Sequence, residues 1–348
     1  MVRKAPLISV ILLLLLLGSN LVLSEKEQAS DSSQFHGDER HNGFITSTGP
    51  ISAYLAWKIN QRCDGMVASS GRLLVVDGKD IHILNETSGV TLRDVLGDCY
   101  KCELRTRYPV IGAGNIFVSY YDNTFMNICI NGLCEHESVW IIAKNLFSLD
   151  ERWSINIPLT SPNIQLPYNK ILLAYSGGKL FEAFNGVLRA RIASSGNILW
   201  EARFKGSAIS TIPTIADNIV VIGFLNNSRV VALSADNGEI LWNFTTDSPV
   251  VSSSAYSSNY FYFGSINGIV YAVSKEGEKL WHTKLGGGVE TTPAIAFGKV
   301  FVGSVDGNLY VLNATSGELL WKYSTEGPIT ASPIVSINEI VYIGSTDG

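Results

Sequence analysis

The chain has 348 residues, of which 32 are glycine, 10 % are aromatic and only 16 % are charged, with a formal net charge of −5. An acidic balance with no run of lysine and arginine excludes a surface built to hold a nucleic-acid backbone, whose binding rests on positive charge. Abundant glycine and aromatics with few charges fit an extracytoplasmic, mostly β domain.

Arg3 and Lys4 precede an apolar run from Pro6 to Leu23, so residues 1–24 read as a signal peptide or as a retained N-terminal membrane anchor. As a helix the run spans roughly 27 Å, at the low end for crossing a bilayer. Val22 and Ser24 are small enough for a cleavage site. Either outcome predicts a protein that is secreted or anchored at the cell surface. Residues 25–34 read as a flexible leader, and the folded part is expected over residues 35–348.

Tyr54-Leu55-Ala56-Trp57-Lys58-Ile59 has the pattern of an outer strand with no partner strands before it, which predicts that it closes the last unit of a ring. Leu73–Val76 and Ile81–Leu84 read as strands, with Thr87-Ser88-Gly89 turning the chain into an outer strand. There Arg93 stands where later units carry tryptophan. A second unit, about residues 94–153, holds strands Ile116–Tyr120 and Val139–Ala143 and ends at Trp153. It is enlarged by the irregular segments Asp98–Tyr108 and Asn123–Ser138. Trp140 is out of register with the other tryptophans and is expected to pack within its strand. Ile171–Ala174 begins a third unit closed by Trp200.

Cys99, Cys102, Cys129 and Cys134 fall in the enlarged second unit, with Cys63 before it. A C-x2-C and C-x4-C pair is one way to build a zinc site, but an exported chain lives where disulfides form. Disulfides among these five are therefore expected, with their pairing open and one cysteine left over in a monomer. Export also gives meaning to four N-glycosylation sequons, at Asn85, Asn226, Asn243 and Asn313.

From here the chain repeats. Gly196, Gly238, Gly277 and Gly317 each stand four residues before Trp200, Trp242, Trp281 and Trp321, and the tryptophans follow one another at 42, 39 and 40 residues. Gly264-Ser265-Ile266-Asn267-Gly268, Gly303-Ser304-Val305-Asp306-Gly307 and Gly344-Ser345-Thr346-Asp347-Gly348 recur in phase, as do Thr292-Pro293 and Ser332-Pro333. Each unit reads as four short strands, with Asn267-Gly268 and Asp306-Gly307 expected in tight two-residue hairpins. No stretch shows helical periodicity. A four-stranded unit cannot bury both of its faces alone, and radial stacking solves that. The sequence therefore predicts an all-β propeller of four-stranded antiparallel blades. Trp57, Trp153, Trp200, Trp242, Trp281 and Trp321 dock one blade on the next over glycines that keep the backbone low. Counting units gives seven blades, or eight if a further repeat exists. The last blade, which starts at Thr330, lacks its returning strands, so the native product is expected to extend beyond Gly348.

The segments Val231–Trp242 and Tyr310–Trp321, with their recurring alanine, glycine and tryptophan, resemble the repeat of the pyrroloquinoline-quinone-type (PQQ-like) propellers. Phe35–Gly43 resembles the segment that often precedes the first blade of that family. The resemblance implies an architecture shared by quinoprotein dehydrogenases, outer-membrane assembly lipoproteins and exported proteins with no known reaction. In the alcohol-oxidising dehydrogenases PQQ lies in the central funnel with calcium, a catalytic aspartate and a disulfide between adjacent cysteines. This chain has no adjacent cysteines, and Asp236, Asp306 and Asp347 sit at turns that repetition explains. His36, His41, His82, His136 and His282 are scattered, and the loops of the regular half are too short to enclose a substrate. No catalytic, cofactor or metal residue is assigned. The function expected is that of a non-catalytic scaffold that binds a protein, glycan or cell-envelope component. The segments Asp98–Tyr108 and Asn123–Ser138 form the specialised surface. A PQQ- and calcium-dependent dehydrogenase and a passive surface-layer component are the alternatives.

Overall fold

The structure, a computed structural model, describes residues 44–45, 65–69, 72–76, 81–85, 91–94, 102–104, 109–122, 129–130, 133–134, 138–158 and 171–347. The N-terminal apolar run, the leader, Trp57, Cys63 and Cys99 lie outside the described residues. Among the described residues no helix is long and apolar enough to cross a membrane. They fall in two compact units, one from residues 48–163 and the other from residues 34–47 and 164–348.

The second unit contains four antiparallel sheets whose strands pair in chain order, and one mixed sheet. The first contains Leu172–Ser176, Lys179–Phe184, Val187–Ile192 and Ile198–Arg203. Thr214–Ala216, Ile219–Gly223, Arg229–Ser234 and Ile240–Thr245 make the next. Ala255–Ser257, Tyr260–Gly264, Ile269–Ser274 and Lys279–Lys284 follow. Ala294–Ala296, Lys299–Gly303, Asn308–Asn313 and Leu319–Ser324 form the fourth. A three-stranded sheet joins Ile334–Ser336 and Val341–Tyr342 to Phe44–Ile45, which runs parallel to Ile334–Ser336. In the first unit Gly65–Ser69, Arg72–Val76, Ile81–Asn85 and Thr91–Asp94 form one sheet. A five-stranded sheet pairs Cys102–Leu104 and Val110–Gly112 with Asn115–Asp122, and continues through Ser138–Asn145 to Glu151–Pro158.

One register recurs through both units. Trp153, Trp200, Trp242, Trp281 and Trp321 stand opposite Ala143, Ala190, Ala232, Ala272 and Val311, and a bulge follows each pair. Arg93 takes the same place opposite Ile83, again followed by a bulge. The small side chain opposite leaves room for a large ring, and the bulge adds twist where the ring leans out.

The two-residue hairpins lie elsewhere than the sequence predicts. Asp217-Asn218, Ser258-Asn259 and Phe297-Gly298 have both residues at positive φ, as a primed turn requires. In the Gly-Ser-x-Asp-Gly segments only the last glycine does, Gly268 at 85° and Gly307 at 82°. These close as wider turns in which Gly307 N–H donates to Ser304 O (3.1 Å) and Asn308 N–H to the Asp306 carboxylate (3.0 Å). The side-chain bond replaces the second left-handed residue.

Packing between sheets of the second unit is apolar. Phe181, Ala190 and Trp200 meet Ile215, Val220 and Leu233 of the next sheet, and the pattern repeats around Trp242 and Trp281. Trp200 lies on Gly238, where a β-carbon would meet the ring at 2.6 Å. Trp242 lies on Gly277 (2.7 Å) and Trp281 on Gly317 (2.6 Å). Each indole N–H donates to a carbonyl of that next sheet: Ala235 (3.0 Å), Lys275 (2.8 Å) and Ala314 (2.9 Å). These three tryptophans are 7–9 % exposed, whereas Trp321 is 45 % exposed. Among the described residues nothing offers Trp321 an equivalent glycine.

Gly277 and Gly298 separate the two costs of adding a methyl group. Gly277 has φ 93° and lies under Trp242, while Gly298 has φ 68° with open space around it. Gly298→Ala is expected to lose about 1–2 kcal/mol from the backbone alone, and Gly277→Ala a further ~1–3 kcal/mol from the displaced ring. Urea unfolding midpoints check this, and equal losses would show that the ring contact is dispensable.

Candidate functional site

The aspartates at the repeated turns are spent on structure. Asp236 is bonded by Lys179 Nζ (2.5 Å) and Asn218 Nδ2 (2.7 Å), which hold its carboxyl below the usual range. Burial pushes Asp306 up, but the Tyr310 hydroxyl, donating at 2.7 Å, and Asn308 outweigh it and leave the carboxyl low. Tyr271, at the register position of Tyr310, finds its carboxylate in Asp247 (2.9 Å), which comes from a different loop. Asp347 accepts from Glu326 N–H (2.7 Å). Among the described residues no group of three or more His, Cys, Asp and Glu side chains could hold a metal ion. Among the described residues this donor set does not fit calcium beside a quinone.

Hydrogen-bonded rungs join adjacent sheets at the spacing of the repeat. Ile212 N–H donates to Ser253 Oγ (3.0 Å), Thr214 Oγ1 to Ser254 O (2.8 Å) and Thr292 N–H to Ser332 Oγ (3.0 Å), spanning 41, 40 and 40 residues. The Thr214 and Ser253 hydroxyls are buried and Ser332 is half-buried, so these hydroxyls join neighbouring sheets.

A charged network escaped the sequence analysis. Glu182, fully buried, accepts two bonds from Arg191 (3.1 and 3.0 Å) and one from Arg189 (3.1 Å). Arg191 also donates to Gly196 O (2.9 Å), which is at positive φ. Arg189 continues to Glu201, which is bonded on its other side by Arg203 (2.6 Å). Burial raises the Glu201 carboxyl, but the Arg189 bond and the charges of Arg189 and Arg203 bring it below its ordinary value. By register these residues occupy the sheet face opposite Trp200. In the next sheet the positions of Glu182, Arg189 and Arg191 hold Ile222, Val231 and Leu233. The available signal was that contrast between aligned repeats.

The remaining sequence candidates are dispersed. Trp153 packs near Phe117 (5.9 Å between ring centroids), and Trp140 is half-buried in its strand. The Asn226 side chain is bonded to Ala208 N–H (2.8 Å) and Gly206 O (2.6 Å). Asn313 caps its own turn by accepting from Thr315 and Ser316 (both 2.9 Å), whereas Asn243 is exposed on an outer strand. Asn85 ends the strand Ile81–Asn85 and Cys102 begins the strand Cys102–Leu104. Cys129–Ile130 and Leu133–Cys134 form a small hairpin of their own.

Sheets of one repeated register, docked through tryptophan on glycine, define a β-propeller of PQQ-like blades. The chain belongs to the PQQ_2 family, described as outer membrane protein assembly factor BamB, whose profile matches residues 150–275 and 226–348, more than half of the chain. The outer membrane protein assembly factor BamB of Shewanella oneidensis is 32 % identical over 96 residues, which cover 26 % of this chain and 24 % of that protein. The match thus spans about a quarter of that relative. Among solved structures, BamB from Moraxella catarrhalis aligns over 84 % of this chain and 83 % of its own, with TM-score 0.62 and 17 % identity. A europium-containing methanol dehydrogenase aligns over 81 % and 72 %, with TM-score 0.61 and 11 % identity. At these identities the structures share the fold alone.

Distinct outcomes are expected of this charged network. Glu182→Gln removes the only carboxylate paired with the buried Arg191, while Arg189 keeps Glu201, and should cost about 3–5 kcal/mol, whereas installing Ile, Val and Leu at 182, 189 and 191 together should be neutral or stabilising by up to ~4 kcal/mol. Because the folded carboxyl of Glu201 titrates below its unfolded value, its contribution is present above the ordinary carboxylate range. It is lost as the pH falls through the lowered value. Glu201→Gln should flatten the acid limb of a stability–pH curve, and an unchanged limb would contradict the assignment.

Proposed function

We propose that this chain is an extracytoplasmic, non-catalytic scaffold that holds a protein partner during assembly in the cell envelope. The observation that carries the reading is membership of the outer membrane protein assembly factor family across residues 150–348. The geometry supports it. Repeated polar groups of the regular half are consumed in joining sheets, so that half is a rigid frame and recognition falls to the segments that break the repeat. By sequence, Asp98–Tyr108 and Asn123–Ser138 are those segments. A likeness in fold to a methanol dehydrogenase supplies no site, since function resides in residues grafted on a fold.

Crosslinking in the native envelope tests the reading, with the full chain carrying photoreactive residues either in Asn123–Ser138 or on the exposed outer strand at Asn243. Adducts to one protein partner confined to the first set are the expected result. Equal labelling from both sets, or none, would count against a specific scaffold. Addition of PQQ and calcium is expected to yield no dye reduction with alcohols or sugars, and robust turnover would overturn the non-catalytic assignment.

A further inference from the structure

The small hairpin within the irregular segment carries a covalent consequence. Ile130 stands opposite Leu133 and Cys129 opposite Cys134 in antiparallel register. Only Asn131-Gly132 connects the two strands, and Asn-Gly is the strongest sequence signal for a two-residue hairpin. In such a hairpin the pair flanking the turn is the hydrogen-bonded one. The next pair outward is therefore non-hydrogen-bonded, with α-carbons about 4.5 Å apart. That separation lies within the range a disulfide spans.

We propose that Cys129 and Cys134 form a disulfide with each other, leaving Cys63, Cys99 and Cys102 to settle their own states. The two thiols give up two protons and two electrons to a disulfide of the glutathione or oxidoreductase class. That oxidant leaves as two thiols while one S–S bond forms in the hairpin. A bond closing so short a loop removes little entropy from the unfolded chain. Its effect is local: it locks the register of two strands that are too short to hold together alone.

Tryptic cleavage isolates the question, because Cys129 and Cys134 share the peptide Tyr108–Lys144 while Cys63, Cys99 and Cys102 fall in three other peptides. The full-length protein is equilibrated in a buffer dominated by oxidised glutathione, denatured without reductant, treated with iodoacetamide and digested. The expected product is peptide 108–144 without carbamidomethyl groups and lighter by two hydrogens, gaining two carbamidomethyl groups only after reduction. Alkylation of both cysteines before reduction would overturn the proposal. Mixed disulfides with glutathione, or a crosslink from this peptide to any of the other three, would overturn it equally.

Discussion

A tryptophan ring resting on a glycine of the neighbouring sheet, with its indole N–H donated to that sheet's carbonyl, is the contact on which the regular half of the molecule depends. It satisfies a polar group that burial would otherwise strand. It also sets the spacing between sheets, since any side chain at Gly238, Gly277 or Gly317 would enter the ring above it. The acceptor carbonyls lie 35, 33 and 33 residues after their tryptophans. The forty-residue period is thus a physical requirement: each sheet must deliver a carbonyl and a bare backbone at the place the previous ring occupies.

The rest of the packing follows from that spacing. Third strands such as Ile269–Ser274 and Asn308–Asn313 have four consecutive buried residues, because both faces of the sheet are covered. The Trp200 sheet departs from this rule on one face, where Glu182, Arg189 and Arg191 replace aliphatic side chains. Buried charges of this kind add little net stability. Every one of them must be paired, which makes the arrangement intolerant of sliding or repacking.

Hydroxyls, indoles and turn carboxylates of the regular half bond within the frame. The same fold underlies BamB from Moraxella catarrhalis and a europium-containing methanol dehydrogenase, so the frame itself does not select a function. In the proposed function, selection falls to the residues between Asp122 and Ser138, whose sequence interrupts the repeat.

How much of this was legible beforehand can be judged residue by residue. Periodic glycine and tryptophan were enough to specify sheets, their order and the family, because a repeated unit states its own neighbour contacts locally in the chain. Arg93 was found in place of a tryptophan from spacing alone, and its backbone register agrees. Turn geometry was read wrongly at Asp306-Gly307, because a Ser304 hydroxyl and an Asp306 carboxylate competing for backbone N–H groups are invisible to a dipeptide rule. The network around Glu182 was missed because strand alternation shows which face a charge occupies but not whether that face is covered. The sequence by itself determined the repeat and the glycine and tryptophan positions that recur in it, since both are local patterns renewed about every forty residues. Only the tertiary structure decided which charges are buried together and which aspartates are spent on turns, because those depend on partners distant along the chain.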